Sequence, residues 1–461
     1  MSNFFRNLCG LIRLLFIITK YELLSSPGEI SLNRKLRYLG KFLAIFLYPP
    51  ALIYPSRQSF GMRLTKAFQE LGPIYIKFGQ TLSTRPDLVG LEVATNLKSL
   101  QDKLPPFDGL IAKAKIEANF NCKLSDIFSE FDYAPVAAAS IAQVHKARLT
   151  GGQQVAVKIL RPDISHRYNK DILLLEYMAY LAIKWIDKAK RLKPQEVIKV
   201  FRETMRYELN LQTEAAAASR LYDNFKDDNS LRIPEVFWQF TSTEILTLEW
   251  VDGISIYDNK KIRQRGLKPA DLAAKIAVIF FNQAYRDGFF HADLHPGNIL
   301  VCKDGRIALI DFGIIGILPE PDRLAVAELL YGFLKRDYEL VAKVHLRAGY
   351  IPVDTNLELF AQSCRAIAEP IIGMQARNIS IGNLLAQLFK VTEDFGMETQ
   401  PQLLLLQKTM VVVEGIGQSL DPEINMWQLA EPWIKKWAIK NLTPEAKILR
   451  MLKKFINNLH L

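Results

Sequence analysis

The chain has 461 residues, 49% hydrophobic and 23% charged, a balance that excludes a disordered or fibrous protein and leaves room for two lobes with extensions. Its four cysteines, Cys9, Cys122, Cys302 and Cys364, include no C-x-x-C pair, which argues against a disulfide framework or a zinc site. Of the net charge of +11, +6 falls on residues 1–60 and +6 on residues 435–461, leaving the body at −1. A nucleic-acid binder carries its basic stripe on the folded body, so no nucleic-acid partner is expected. Basic ends on a near-neutral globule fit an anionic membrane surface instead.

In chain order, residues 1–60 read as basic, partly interfacial helices. The apolar run Leu14–Ile18, between Arg13 and Lys20, is far short of the roughly 20 residues a spanning helix needs, and no small-residue cleavage site follows it. A second run, Phe42 to Tyr54, is interrupted by Pro49-Pro50. Residues 61–130 read as a helical extension with a loop at Pro105-Pro106. Residues 131–250 change to a smaller strand-bearing lobe, with Ile141–Leu149 and Gln153–Leu160 joined by Gly151-Gly152, a hairpin signal. Residues 163–225 return to helix, and Glu244–Val251 reads as the strand that links two lobes. Residues 251–440 read as a large helical lobe, interrupted by a loop and the strand Ile307–Ile310. Over residues 441–461, Thr443-Pro444 is a helix start, and Ile448, Leu452, Phe455 and Leu459 recur at helical spacing among Lys447, Arg450, Lys453 and Lys454. Such a basic amphipathic helix suits a membrane interface or a protein core equally.

The chemistry is concentrated in FFHADLHPGNILV, Phe289 to Val301, and ALIDFG, Ala308 to Gly313. They set His291, Asp293 and Asn298 in an H-x-D-x-x-x-x-N array, and Asp311 follows Asp293 by 18 residues in Asp-Phe-Gly. Phosphoryl transfer from a nucleotide needs one carboxylate beside the attacking hydroxyl, and an amide with a second carboxylate to hold Mg²⁺ against the phosphates. Asp293 is the candidate base, and Asn298 and Asp311 are the candidate metal ligands. Asp, His and Asn also favour ordinary turns, as does Pro296-Gly297, but both halves in this order and spacing are not a usual turn.

Upstream, Val155-Ala156-Val157-Lys158 puts a lysine on a strand just after the hairpin. In kinases a lysine there grips the α- and β-phosphates and pairs with a helix glutamate. The stretch before it, Pro135-Val136-Ala137-Ala138-Ala139-Ser140, stands where a protein kinase has a glycine-rich loop; a Cβ at each alanine predicts a stiffer loop with altered nucleotide preference. The glutamate falls in Glu203 to Leu221, read as one helix. Glu208 and Glu214 would lie about 120° apart on it and cannot share one role. Glu214 is assigned to Lys158.

With LGPIYIKFGQTLSTRPDL (Leu71 to Leu88) and QPQLLLLQKTMVVVEGIGQSL (Gln400 to Leu420), these motifs make the chain resemble the UbiB/ABC1/ADCK family of atypical kinases, especially its bacterial ubiquinone-biosynthesis branch. The resemblance covers roughly Phe4 to Asn441. It implies an α+β, two-lobed protein-kinase-like fold, with a helical N-terminal extension carrying the K-x-G-Q motif and a mostly helical C-terminal lobe. In this family the K-x-G-Q helix, here Lys77, Gly79 and Gln80, folds over the active site, and its lysine meets a Glu-x-Asp segment. Here that segment is Glu208-Leu209-Asn210, so Lys77 is expected to pair with Glu208. The resemblance also implies ATP/ADP binding by Val136, Ala137, Ala138, Ala139, Ser140, Ile141, Ala142, Gln143 and Val144 together with Lys158, and Mg²⁺ on Asn298 and Asp311, with Asp293 as base. It implies work in ubiquinone biosynthesis at the cytoplasmic face of the bacterial inner membrane, beside the enzymes of that synthesis or isoprenoid precursors. Many such chains end in a pair of hydrophobic segments; this sequence reaches Leu461 without one, so peripheral attachment through its basic ends is expected.

Two features weigh against a protein kinase. Ala292 stands where protein kinases have Arg, and a helical pattern resumes soon after Pro319 with no Ala-Pro-Glu. The expected function is therefore an atypical kinase or ATPase acting on a small or lipid-related target, with a protein kinase and a nucleotide-gated scaffold as alternatives.

Overall fold

The computed structural model describes residues 2–24, 34–50, 58–83, 85–100, 104–185, 193–372 and 400–443, with isolated positions besides. The amphipathic helix expected over 441–461 falls almost wholly outside the described residues. The chain divides into two compact units: Met1–Thr213 with Phe237–Trp250, and Glu214–Val236 with Val251–Leu461.

The first unit is built on a five-stranded antiparallel sheet. Its strands β1 (Phe128–Phe131), β3 (Ala142–Leu149) and β4 (Gln154–Leu160) precede the strand Ile245–Glu249 in spatial order, and β2 (Ala137–Ala138) pairs with β3. Alternation along β4 puts Val155, Val157 and Ile159 on one fully buried face. They pack with Ala147, Leu149 and Ile245 against Ala112 and Ile116 of the helix Gly109–Phe120. Lys158 has the opposite parity, paired in register with Val144 and Leu246. The hairpin expected at Gly151-Gly152 is present, with Gly152 at φ 90°. One boundary is corrected: the helical extension stops at Ile127, and Phe128–Phe131 forms an edge strand because Phe128 is needed in the sheet's core.

A second correction concerns Glu203 to Leu221. This stretch is two helices, Pro194–Glu208 and Leu211–Phe225. The first ends at Leu209, with φ −85° and ψ 8°. The Asn210 side chain then accepts the Gln212 N–H at 3.1 Å, the bond of a helix N-cap. Asn and Asp cap equally well, so Asn in place of the family's second acid keeps the break. The angular comparison of Glu208 with Glu214 on one helix therefore does not apply.

In the second unit, a four-stranded sheet runs Leu231–Arg232, Ile307–Leu309, Ile299–Cys302, Gly253–Ser255. A two-stranded ribbon pairs Phe289–His291 with Ile315–Ile317. Helices including Pro269–Phe281, Glu320–Lys335 and Pro401–Leu420 form the rest. A π-helical turn, Asn282–Asp287, joins Pro269–Phe281 to the ribbon. Trp433 donates from Nε1 to Asn282 at 2.8 Å and packs its ring at a tilt against Phe281 and Tyr285, which clamps that turn. Among the described residues no helix is long and apolar enough to cross a membrane.

Candidate phosphoryl-transfer site

In the second unit, the ribbon and the strand Ile299–Cys302 carry the two motif loops. His291 ends the first ribbon strand, fully buried. Its Nδ1 accepts the Asp293 N–H at 3.2 Å, and its Nε2 hydrogen-bonds the Asp311 carbonyl. One nitrogen therefore accepts and the other donates, which is the neutral imidazole. Burial, the main cause, lowers its pKa in the same direction. His291 thus bridges the backbones of the two loops. The Asn298 amide donates from Nδ2 to the Asp293 carbonyl at 3.1 Å, so its nitrogen is the end turned to that loop. Asp311 Oδ1 accepts the Gly313 N–H at 3.1 Å. Asp293, Asn298 and Asp311 are thereby brought together by bonds from side chains to the main chain.

Glu214, in the first turn of Leu211–Phe225, is buried and accepts the Phe312 N–H at 3.3 Å. It braces the backbone of Asp-Phe-Gly. Gln283 was not foreseen: from the π-helical turn its Oε1 accepts the His291 N–H at 2.9 Å, with the side chain buried. π-turns recur at functional sites, but no local sequence signal marks one. Gly316 packs flat against Phe290, where a Cβ would lie 2.1 Å from the ring. Ala292 is 3% exposed, and its N–H donates to the Ile314 carbonyl, so this position has no room for an arginine.

In the first unit, Val136 to Val144 form a tight hairpin. Ala137 pairs with Val144 and Ala138 with Gln143, and the Ala139 N–H donates to the Ala142 carbonyl at 2.8 Å. The alanine run is thus a strand edge as well as a loop. The Gln143 side chain is buried and bonds to the Phe107 backbone and His145.

The K-x-G-Q motif sits on the helix Pro73–Ser83. Lys77 Nζ lies 3.2 Å from the Glu208 carboxylate, with the two side chains 18% and 12% exposed. That oxygen has ion-pair distance without hydrogen-bond geometry, so the contact is a Coulombic one. Gln80 donates to the Leu100 carbonyl at 3.2 Å. Gly79 is a matter of space: a Cβ would lie 2.3 Å from Leu100 Cδ1 and 2.6 Å from Phe68. Phe78 packs at a tilt against Phe201, ring centroids 5.0 Å apart, which fastens this helix to Pro194–Glu208.

Residues 99–345 match the ABC1 atypical kinase-like domain, and residues 364–425 match the UbiB helical domain. The chain belongs to the UbiB family of ABC1 atypical kinases. It is 42% identical over 408 residues to the "Probable protein kinase UbiB" of Marinobacter nauticus, covering 87% of this chain and 75% of that one. Among solved structures, the Rv3197–erythromycin complex from Mycobacterium tuberculosis matches at 22% identity and TM-score 0.48, covering 77% of this UbiB-family chain and 90% of that one. A Stt7 homolog from Micromonas algae soaked with ATP matches at 14% identity and TM-score 0.26, covering 43% and 53%. Both TM-scores lie below one half, so these two likenesses add nothing to the assignment. The two-lobed kinase-like class and the helical C-terminal region expected from the sequence follow from the two domain matches.

Proposed function

We propose that this UbiB-family chain is an atypical kinase or ATPase that uses Mg-ATP on a small or lipid-related target in ubiquinone biosynthesis. The observation that carries this is the set of bonds from the His291 and Asn298 side chains to the main chain, which ties the Asp293 and Asp311 loops together. An amide oxygen and a carboxylate are hard donors of the kind Mg²⁺ takes, two from protein with the rest from phosphate and water. The Asn298 amide already gives its nitrogen to Asp293, so its oxygen is the atom left for the metal. Asn298 and Asp311 therefore fit the ion. Bound there, Mg²⁺ would neutralise charge on the transferring phosphate.

In this reading Asp293 accepts the proton of the attacking hydroxyl or water, and its backbone bonds fix where that carboxylate starts. Lys158 takes the α- and β-phosphates of ATP or ADP, with Glu214 as its partner. The hairpin Val136–Val144 covers the phosphates. Lys77 and Glu208 hold the K-x-G-Q helix where a peptide substrate would otherwise enter. The buried Ala292 supports a small target over a protein one, as does the short course from Asp311 into the ribbon strand Ile315–Ile317. Both remove parts that a phosphorylated activation loop uses.

The partners proposed are an anionic membrane surface, reached through the basic ends at the cytoplasmic face of the bacterial inner membrane, and the enzymes or isoprenoid precursors of quinone synthesis. In the helix Arg34–Leu47, Tyr38, Phe42, Ile45 and Phe46 are exposed opposite the buried Ala44, which supports an interfacial role. ATP turnover by the purified protein, with and without anionic liposomes and quinone-precursor phenols, tests the reading. A rise with either is expected. Turnover that responds only to added protein substrates would replace it with the protein-kinase reading, and full support of quinone production by Asp293→Asn in cells would replace it with the scaffold.

A further inference from the structure

Arg161 ends near the tip of the Ala-rich hairpin, one residue beyond β4. Its Nε and Nη2 donate to the Ala139 carbonyl at 3.1 and 2.8 Å, and Nη2 donates to the Leu104 carbonyl at 3.3 Å. Its backbone N–H donates to the Ile141 carbonyl at 2.8 Å. One guanidinium therefore holds both the hairpin tip and the start of the Pro105-Pro106 loop. Its side-chain acceptors are neutral carbonyls, so it is not committed to a carboxylate. A planar fork can satisfy two carbonyls in fixed geometry, which a lysine cannot.

A second tie lies three residues along the same loop. The Gln143 amide accepts the Phe107 N–H at 2.9 Å and donates to the Phe107 carbonyl at 3.2 Å, as a backbone strand partner would. Gln143 is itself fully buried and is braced by His145 at 2.8 Å, whose other ring nitrogen lies 2.8 Å from the Asp132 carbonyl. In the β2–β3 ladder Gln143 faces Ala138. The two ends of Leu104–Phe107 are thus fastened to the two sides of the hairpin. On the far side, Leu100 receives Gln80 of the K-x-G-Q helix.

We infer that Arg161 and Gln143 are positioning residues that couple the Ala-rich hairpin to the Leu104–Phe107 segment, so that a shift of the hairpin on nucleotide binding is passed to that segment. This rests on the nucleotide reading above. Because both ties are side chain to backbone, the hairpin cannot open without moving Phe107 or breaking them.

Hydrogen-exchange mass spectrometry on the full chain decides it, comparing wild type, Arg161→Met and Arg161→Lys, each without nucleotide and with Mg-ADP. Without nucleotide, Arg161→Met should raise exchange about 10-fold or more in both residues 136–142 and the Phe107–Asp108 amides, with Val155–Ile159 unchanged. Arg161→Lys should fall between, and it carries the test if the Met variant does not fold. With Mg-ADP, wild type should gain protection in both segments. Arg161→Met should gain it in the hairpin alone, with its Kd for ADP within about 3-fold of wild type, a readout that a merely stabilising role would not give. Exchange rising in the hairpin only, or in neither segment, overturns the coupling. So does nucleotide protection that reaches Phe107 unchanged in Arg161→Met. If Mg-ADP protects nothing in wild type, the nucleotide reading fails, while the nucleotide-free arm still decides the clamp.

Discussion

In the second unit the motif loops hang on bonds between buried side chains and the main chain; in the first, the extension hangs on long side chains that are only partly buried. Asn298 and His291 fasten Asp293 and Asp311 through carbonyls and amides, Gln283 fastens His291, and Glu214 takes the Phe312 N–H. These bonds sit among buried residues and cannot be given up without distorting the loops. Lys77–Glu208, Gln80–Leu100 and Arg161–Ala139 each rely on a long side chain that one rotamer change can release. The difference teaches that the motif groups are held fixed, as the proposed electrostatic catalysis requires, while the ties of the extension can be released.

The comparison breaks first at Asp293. Asp293→Asn should lower ATP turnover by about 10³-fold, with nucleotide affinity held within a few-fold, because the base is lost while the metal ligands stay. Single-turnover kinetics beside a binding titration checks this; equal loss of both would move Asp293 from base to metal ligand.

Lys77→Met should cost roughly 2–4 kcal/mol of local stability in the extension, since it leaves the Glu208 carboxylate, 12% exposed, without its cation. Adding Glu208→Gln should recover most of the loss, and a double-mutant cycle on thermal melts measures the coupling. Two additive losses would show that the pair does not hold the helix. Gly79→Ala should cost about 1–3 kcal/mol by pressing a Cβ into Leu100 and Phe68. Limited proteolysis should then cut the extension before the sheet; identical cutting of variant and wild type would mean the site can yield.

The smallest effect expected is at Asp171, on the helix Ile164–Trp185, whose carboxyl is pushed up to about 6, mainly by burial. Its folded pKa exceeds the unfolded one, so the proton it keeps stabilises the fold at low pH, and that contribution is lost as pH rises through about 6. Asp171→Asn should raise stability by about 1–2 kcal/mol at pH 7.5 and by far less at about pH 3, where the wild-type group is protonated in both the folded and the unfolded state. A pH-independent difference in Tm would assign the effect to packing.

The motif loops, the β3–β4 hairpin and the strand Ile245–Glu249 were legible because each is local: a fixed spacing, a Gly-Gly turn or a period of two. The edge strand at Phe128 was not, since Ser129 and Glu130 carry no clear alternation and the sheet's need for Phe128 decides it. The break at Leu209-Asn210 was missed for a related reason: helical spacing runs through it, and only the cap made by Asn210 shows two helices. Gln143 stood among the nucleotide candidates through the family resemblance, and no local pattern announces that its buried amide meets the Phe107 backbone.

By itself, then, the sequence determined which chemical groups this UbiB-family chain carries and in what order, because catalytic motifs are short and their spacing is written along the chain. The tertiary structure alone decided what holds them. Arg161 meets Leu104 and Ala139, and Gln283 meets His291, by contacts that no local period encodes. Such contacts depend on how helices and strands pack, which sets where a side chain ends, and a residue's neighbours in sequence do not report that.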